Sequence, residues 1–460
     1  MTGGPPRTWL AELAWSPALG LRADVLIEAS GDRFTAVTPD ASASALRATR
    51  LPGLTMPGLA NAHSHAFHRA LRGVTEAVRG TFWTWRERMY EVAGRLDPDS
   101  YLALATAVYA EMALAGVSCV GEFHYLHHGP RGKPYADQNE MGRVLIEAAD
   151  RAGVRITLLD TCYLAGGLSA DGRQQPLEGT QLRFGDADGA AWASRVEALG
   201  PDSVGSLGPR ARLGAAIHSV RAVPPEQMPE VAVWSHRYAA PLHAHVSEQV
   251  AENRACLAAH RATPAEVLAE AGARGPRSTA VHATHLTDSD IELLAGSRCH
   301  ACMCPTTEAD LADGIGPARA LADEGSPLTL GSDSHAVIDL LEEARRVEMG
   351  ERLASQERGH FTAAELATAV STVGHASLGW PDAGELATGG LADFVTIALD
   401  SPRTAGAPRT AALESVIFGA SAADVQYLVV AGRDVVSGGR HVLIPDVPGA
   451  LSAAIGPLVG

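Results

Sequence analysis

Short apolar runs recur along the middle of the chain, and most end in polar turns that carry histidine. In order they are LTMPGLANAH from Leu54, VSCVGEFHY from Val117, VRITLLDTCYL from Val154, LGAAIHSVRAV from Leu213, PLHAHVSEQ from Pro241, STAVHATHL from Ser278, CHACMCPTT from Cys299 and LTLGSDSH from Leu328. Stretches with helical spacing, such as Asp99–Ala115 and Pro264–Ala273, lie between most of them. Strand-length runs alternating with helices in this way predict a parallel (β/α)8 TIM-type barrel. A doubly wound open sheet also alternates, but it gives no reason for histidines to end strand after strand. In a barrel, that end of the strands carries the active site.

The two ends of the chain read differently. TWLAEL, ADVLIEA and RFTAVTP near the start, and ADFVTIAL, VQYLVVAG and RDVVSGGRHVLI near the finish, are β-rich and punctuated by glycine. They predict one small β-sandwich built from both termini, with residues 1–55 and 386–460 flanking a catalytic barrel at 56–385. Two segments read as long loops over the strand ends: Arg79–Tyr90 (RGTFWTWRERMY) and Ala165–Asp188.

Composition removes several alternatives. A formal net charge of −16 argues against a nucleic-acid or membrane-surface binder. No apolar run reaches the roughly 18–20 residues that span a bilayer, and MTGGPPRTWLAELAW has no basic segment ahead of an apolar core, so a cytoplasmic location is the expectation. Six cysteines are too sparse for a disulfide scaffold. Cys299, Cys302 and Cys304 read as part of a buried strand, because no second cysteine pair completes a four-ligand set.

The candidate chemistry lies at the strand ends. His63 and His65 are two apart, so on a strand they project from one face. The fifth run adds His245 with Glu248 three residues on, the sixth His282 with His285, and the eighth Asp333 in GSDSH. Three imidazoles and a carboxylate suit one divalent ion with an open position for water, most naturally Zn²⁺, with Fe²⁺ as the alternative.

HSH, HVSE, VHATH and GSDSH in this order resemble the amidohydrolase superfamily in its single-metal deaminase branch. NAHSHAFHRAL, FWTWRERMY, EFHYLHH, HSVRAV, HVSEQ, CPTTEADLADG and GSDSH narrow the resemblance, over about residues 56–350, to the formimidoylglutamate deiminases. The resemblance implies metal ligands His63, His65, His245 and Asp333, and proton handling by Glu248, His282 and Asp333. It implies substrate contacts at Arg86, Tyr125, His218 and Arg221, with His68 where the family usually has glutamine. The implied reaction is hydrolysis of N-formimidoyl-L-glutamate to N-formyl-L-glutamate and ammonia in histidine degradation. Another formimino, guanidino or heteroaromatic substrate is the alternative.

A small anionic dicarboxylate would need cationic donors in this acidic chain, and Arg86 and Arg221 supply guanidinium groups able to bind carboxylates bidentately. His68 is expected to donate a hydrogen bond with a charge that varies near neutral pH. Leu182, in a QLRF stretch resembling the family's QRRF, replaces a basic residue and leaves the local shape open. His335, two after Asp333 and so on the same strand side, is expected to face the site as a supporting group and not a ligand, and His127 and His128 to be loop residues. By analogy with similar barrels, a homodimer is expected.

Overall fold

The computed structural model describes residues 6–41, 47–76, 79–200 and 207–460. The first five residues, within the segment read as lacking a leader, lie outside it. Eight parallel strands form the central sheet: β1 (Leu59–Ser64), β2 (Val117–His124), β3 (Arg155–Cys162), β4 (Ala211–Ile217), β5 (Leu242–Val246), β6 (Ser278–His282), β7 (His300–Met303) and β8 (Leu328–Leu330). Each of the eight runs read from the sequence contributes one of them. β1, β2, β3, β5, β6, β7 and β8 are buried along their whole length, which is why they read as apolar runs rather than alternating ones.

Neighbouring strands pair through ladders from β1 to β8 in order. The seam between β8 and β1 closes differently. A single parallel bridge, Ser64 to Asp333, joins them among the described residues. Asp333 N donates to His63 O at 3.0 Å and His65 N to Asp333 O at 3.3 Å. Gly331 makes this approach possible, since a Cβ there would stand 2.6 Å from His63 Cβ and 2.8 Å from its backbone N and O.

The first apolar run proves to be two strands. Thr49–Pro57 belongs to the terminal sheet and β1 to the barrel, with Gly58 at the changeover. A side chain on Gly58 would collide with Ser118, and its N–H donates to Asp393 O at 3.1 Å. In the terminal sheet, Thr49–Pro57 pairs with Arg7–Ser16 on one side and Phe394–Ile397 on the other, so the two ends of the chain do meet in one eight-stranded sheet. That sheet curls over itself. Phe34, on an edge strand, stacks 6.4 Å from Phe394 although three strands intervene, and Trp9 meets the same ring edge-on at 5.1 Å. Arg155 at the start of β3 ties the barrel to the sheet through a fully buried pair with Asp393, at 2.6 and 3.1 Å.

One expected loop is a helix. Within Arg79–Tyr90, helix α1 (Phe82–Arg95) begins at Thr81, whose N–H donates to Thr84 Oγ1 at 2.8 Å. Phe82, Trp85, Met89 and Val92 follow 3- and 4-residue spacing and turn inwards or towards the strand ends. The density of aromatic residues obscured that period. Ala165–Asp188 is largely irregular, with a two-residue hairpin and one short turn of 3₁₀ helix. All six cysteines are free and buried, and His300–Met303 is the buried strand expected for the CHACMC run. Among the described residues, no helix is long and apolar enough to cross a membrane.

Candidate metal centre and catalytic cleft

His63, His65, His245 and Asp333 converge at the C-terminal mouth of the barrel, each offering a ligand atom within 4.8 Å of the others. Asp333 Oδ1 lies 3.3 Å from Nε2 of both His63 and His65, and His63 Nε2 lies 3.1 Å from His245 Nε2. The other ring nitrogens explain the orientation. His65 Nδ1–H donates to Phe123 O and His245 Nδ1–H to His218 O, both at 2.9 Å, which leaves the Nε2 lone pairs aimed inward. Burial depresses the basicity of all three rings, His65 to about 3, so they are neutral as ligands require. Two inward lone pairs 3.1 Å apart repel unless a proton or cation lies between them. A divalent ion fits this donor set.

The His-x-His turn rests on a polar network that the motif reading did not single out. Glu122, wholly buried on β2, accepts from Ser64 Oγ at 2.6 Å and from Ala66 N at 2.7 Å. Burial pushes its carboxyl up to about 7 against these hydrogen bonds. His335 joins Ser64 Oγ at 3.1 Å to Ser332 Oγ at 2.9 Å, and Asn61 Nδ2 donates to Ser332 Oγ at 2.7 Å. His335 therefore supports the histidine pair without being a ligand, and it does so from behind the pair.

Glu248 and His282 face the same point. His282 Nε2 is 3.8 Å from Glu248 Oε1 and 3.9 Å from Asp333 Oδ2, while its Nδ1 lies 3.4 Å from Glu308 Oε1. Burial opposes a charge on His282, but Glu248, Glu308 and Asp333 outweigh it and lift its pKa to about 10. Glu308 was not singled out from CPTTEADLADG. It lies within the short helix Pro305–Asp310 and accepts from the N–H of Cys304, just ahead of that helix, at 2.8 Å. Ser247, His282, Ala283 and Asp333 all have left-handed backbone, with φ of 51°, 67°, 49° and 42°. For side chains of this kind the conformation is costly, and it gathers where the strand ends must aim functional groups.

All five expected substrate contacts line one cleft above this centre. His68 Nε2 and Tyr125 OH are hydrogen bonded at 2.9 Å. The charge expected on His68 does not arise near neutral pH. Burial, then the neighbouring His65, pushes its pKa well below the ordinary value, and its Nδ1 has no hydrogen-bond partner. Arg86, on α1, donates to Gly166 O at 3.1 Å and packs against the rings of Trp83 and Tyr90. His218 follows β4 and bonds Ser219 Oγ at 3.1 Å. Arg221 Nη2 donates to Glu248 Oε2 at 2.8 Å.

Leu182 is half exposed, whereas its neighbours turn inward. Gln181 Nε2 donates to Tyr90 OH at 3.0 Å and Gly166 O at 2.9 Å, and Arg183 caps the carbonyls of His128, Ala93 and Leu96. The lost basic residue thus leaves the cleft wall intact. His127 and His128 follow β2 in loop backbone but are buried. His127 Nε2–H donates to Thr161 O at 2.9 Å. His124, His127 and Asp160 also cluster, yet both oxygens of Asp160 are held by Arg195 at 2.9 and 3.0 Å. That guanidinium makes a second cation there unfavourable.

A parallel barrel with three histidines and an aspartate at its C-terminal mouth defines a metal-dependent hydrolase. The chain belongs to the Amidohydrolase family, whose model matches residues 54–435. It is 36% identical over 443 residues, 94% of this chain and 95% of the relative, to formimidoylglutamate deiminase of Pseudomonas aeruginosa. It is 32% identical to 8-oxoguanine deaminase of the same organism, over 77% of this chain and 76% of that one. The crystal structure of an amidohydrolase from Brucella melitensis superposes with a TM-score of 0.90 at 32% identity, covering 99% of this chain and 100% of that one.

Proposed function

We propose that the protein hydrolyses N-formimidoyl-L-glutamate to N-formyl-L-glutamate and ammonia, a step of histidine degradation. The observation that carries this reading is the pair of guanidinium groups, Arg86 and Arg221, in the wall of the cleft whose floor is the histidine–aspartate centre. A dicarboxylate bearing a hydrolysable C=N group matches both features, and the 36% identity to a formimidoylglutamate deiminase supports the match.

His63, His65, His245 and Asp333 would hold the ion, zinc by preference and ferrous iron as the alternative. A bound divalent ion lowers the pKa of a coordinated water towards about 7 and so supplies a nucleophile at neutral pH. The chain's own groups do the rest. Arg86 and Arg221 hold the carboxylates, and Tyr125, His68 and His218 offer hydrogen bonds around the substrate. Asp333 Oδ2 and Glu248 take the two protons of the attacking water in turn and pass both to the formimino nitrogen, which leaves as ammonia when its bond to carbon breaks, while His282 stabilises the developing charge. Water and the formimino group become formyl and ammonia.

A second reading has its own support. Phe82, Trp85, Tyr125 and Tyr163 give the cleft aromatic walls, and 8-oxoguanine deaminase is among the relatives, so a heteroaromatic substrate is the alternative. Metal-replete protein offered N-formimidoyl-L-glutamate beside other formimino and guanidino acids and nucleobases, with ammonia, N-formylglutamate and metal content measured on one sample, separates the two. Turnover confined to an uncharged ring would overturn the leading reading.

A further inference from the structure

Arg221 is held by two carboxylates of different accessibility. Its Nη2 donates to Glu248 Oε2 at 2.8 Å, and its Nε lies 3.4 Å from Glu252 Oε2. Glu252, on helix α2 (Val250–His260), is almost completely buried and is not part of the cleft wall. The guanidinium of Arg221 is its charged counterpart, and the backbone N–H of Ser247 faces the same carboxylate. Glu248, by contrast, lines the cleft, as do Arg221 and the Phe82 ring that lies 5.5 Å from the guanidinium carbon. Glu248 Oε1 is also the oxygen 3.8 Å from His282. One carboxylate therefore spans the substrate clamp and the proton-handling group.

We infer that the Arg221–Glu248 pair is a latch opened by the substrate: its carboxylate takes the guanidinium edge that Glu248 occupies and frees Glu248 to turn to the formimino nitrogen. This rests on the proposed function, in which Arg221 meets a carboxylate and Glu248 moves a proton. Glu252 cannot be the group displaced, because no substrate atom reaches it from the cleft. It keeps Arg221 seated while the other partner changes. A guanidinium suits this exchange, since its N–H groups form a planar fork that can serve two carboxylates on different edges. The latch gives a specificity that binding alone does not. A molecule that fits the reacting centre but lacks the carboxylate leaves Glu248 committed to Arg221, and so is bound without being turned over efficiently.

The test uses metal-replete protein and a carboxylate-free substrate, N-propylformamidine, with and without propionate supplied separately. Propionate is expected to raise kcat for this substrate about tenfold, while chloride at equal ionic strength leaves it unchanged. No rise, or inhibition alone, overturns the latch. Arg221→Met should process N-propylformamidine at the propionate-stimulated rate of the wild type and no longer respond to propionate. A folded variant slower than the unstimulated wild type also overturns the latch. Should Arg221→Met not fold, the wild-type comparison decides. N-formimidoyl-L-glutamate is run on the same sample. If it is turned over but propionate has no effect, the latch alone fails; if it is not turned over, the proposed function fails and takes the latch with it.

Discussion

Removing Glu122 tests whether the histidine pair is held from below. In Glu122→Ala, Ala66 N–H and Ser64 O–H lose acceptors now at 2.7 and 2.6 Å in a site closed to solvent. An orphaned buried polar group costs about 1–3 kcal/mol. The hydroxyl can turn to His335 Nε2, 3.1 Å away, whereas the amide of Ala66 has no such choice. The net loss of stability should therefore be about 2–4 kcal/mol once the cavity is included. His63 and His65 bracket Ser64, so loosening this turn should weaken metal binding by about 10–100-fold, the usual cost of losing a group that supports a ligand. Glu122→Gln is the control. Its carbonyl can accept from Ala66 N–H and its amide donate to Ser64 Oγ, whose proton then goes to His335. That variant should keep its metal and unfold within about 1 kcal/mol of wild type. Urea unfolding, with metal retention followed during chelator titration, measures both effects. An alanine variant that holds metal as tightly as wild type would refute the supporting role of Glu122.

Other substitutions address separate features. Glu248→Gln should retain metal yet lose about 10²–10⁴-fold in kcat, as expected for a group that transfers a proton; unchanged turnover would remove Glu248 from the chemistry. Asp424 is held down to about 2, with burial outweighed by hydrogen bonds from Arg403, Ser401 and Ser421. Its contribution is complete above the unfolded value near 3.8 and is lost as pH falls towards 2, so the stability gap between wild type and Asp424→Asn should shrink from pH 5 to pH 2 in urea titrations. A gap independent of pH would contradict that pairing. Ala239 ends helix Met228–Tyr238 at φ 49°, ψ 32°, where glycine escapes the Cβ strain. Ala239→Gly should raise stability by up to about 1 kcal/mol, and a lowered Tm would show that chain entropy dominates instead.

Much of this was legible in the sequence because it leaves a pattern. Buried parallel strands give unbroken apolar runs, and each ends at the face where His63, His245, His282 and Asp333 meet. What stayed hidden lacks a period. Glu122 and Glu308 act through partners distant in sequence, and nothing in EFHYLHH or CPTTEADLADG distinguishes a buried acceptor from a solvated acid. The division at Gly58 is invisible because both strands around it are apolar. Helix α1 was obscured by its aromatic residues, although the spacing from Phe82 to Val92 carries it. The neutrality of His68 depends on enclosure by His65, Trp85 and Tyr125, which residue identity alone does not reveal.

The barrel's weakest join also has chemical consequences. His63 and His65 stand on one side of the β1–β8 seam and Asp333 on the other, where one bridge replaces a full ladder. An ion gripping all three would act as a rivet across that seam. Whatever binds the folded form and not the unfolded one adds its binding free energy to stability. Here that gain would fall on the closure of the ring of strands itself. Stripping the ion would then cost more than a reagent for the reaction, because closure of the seam would fall back on the single bridge and the Asn61–Ser332 and Ser64–His335 bonds.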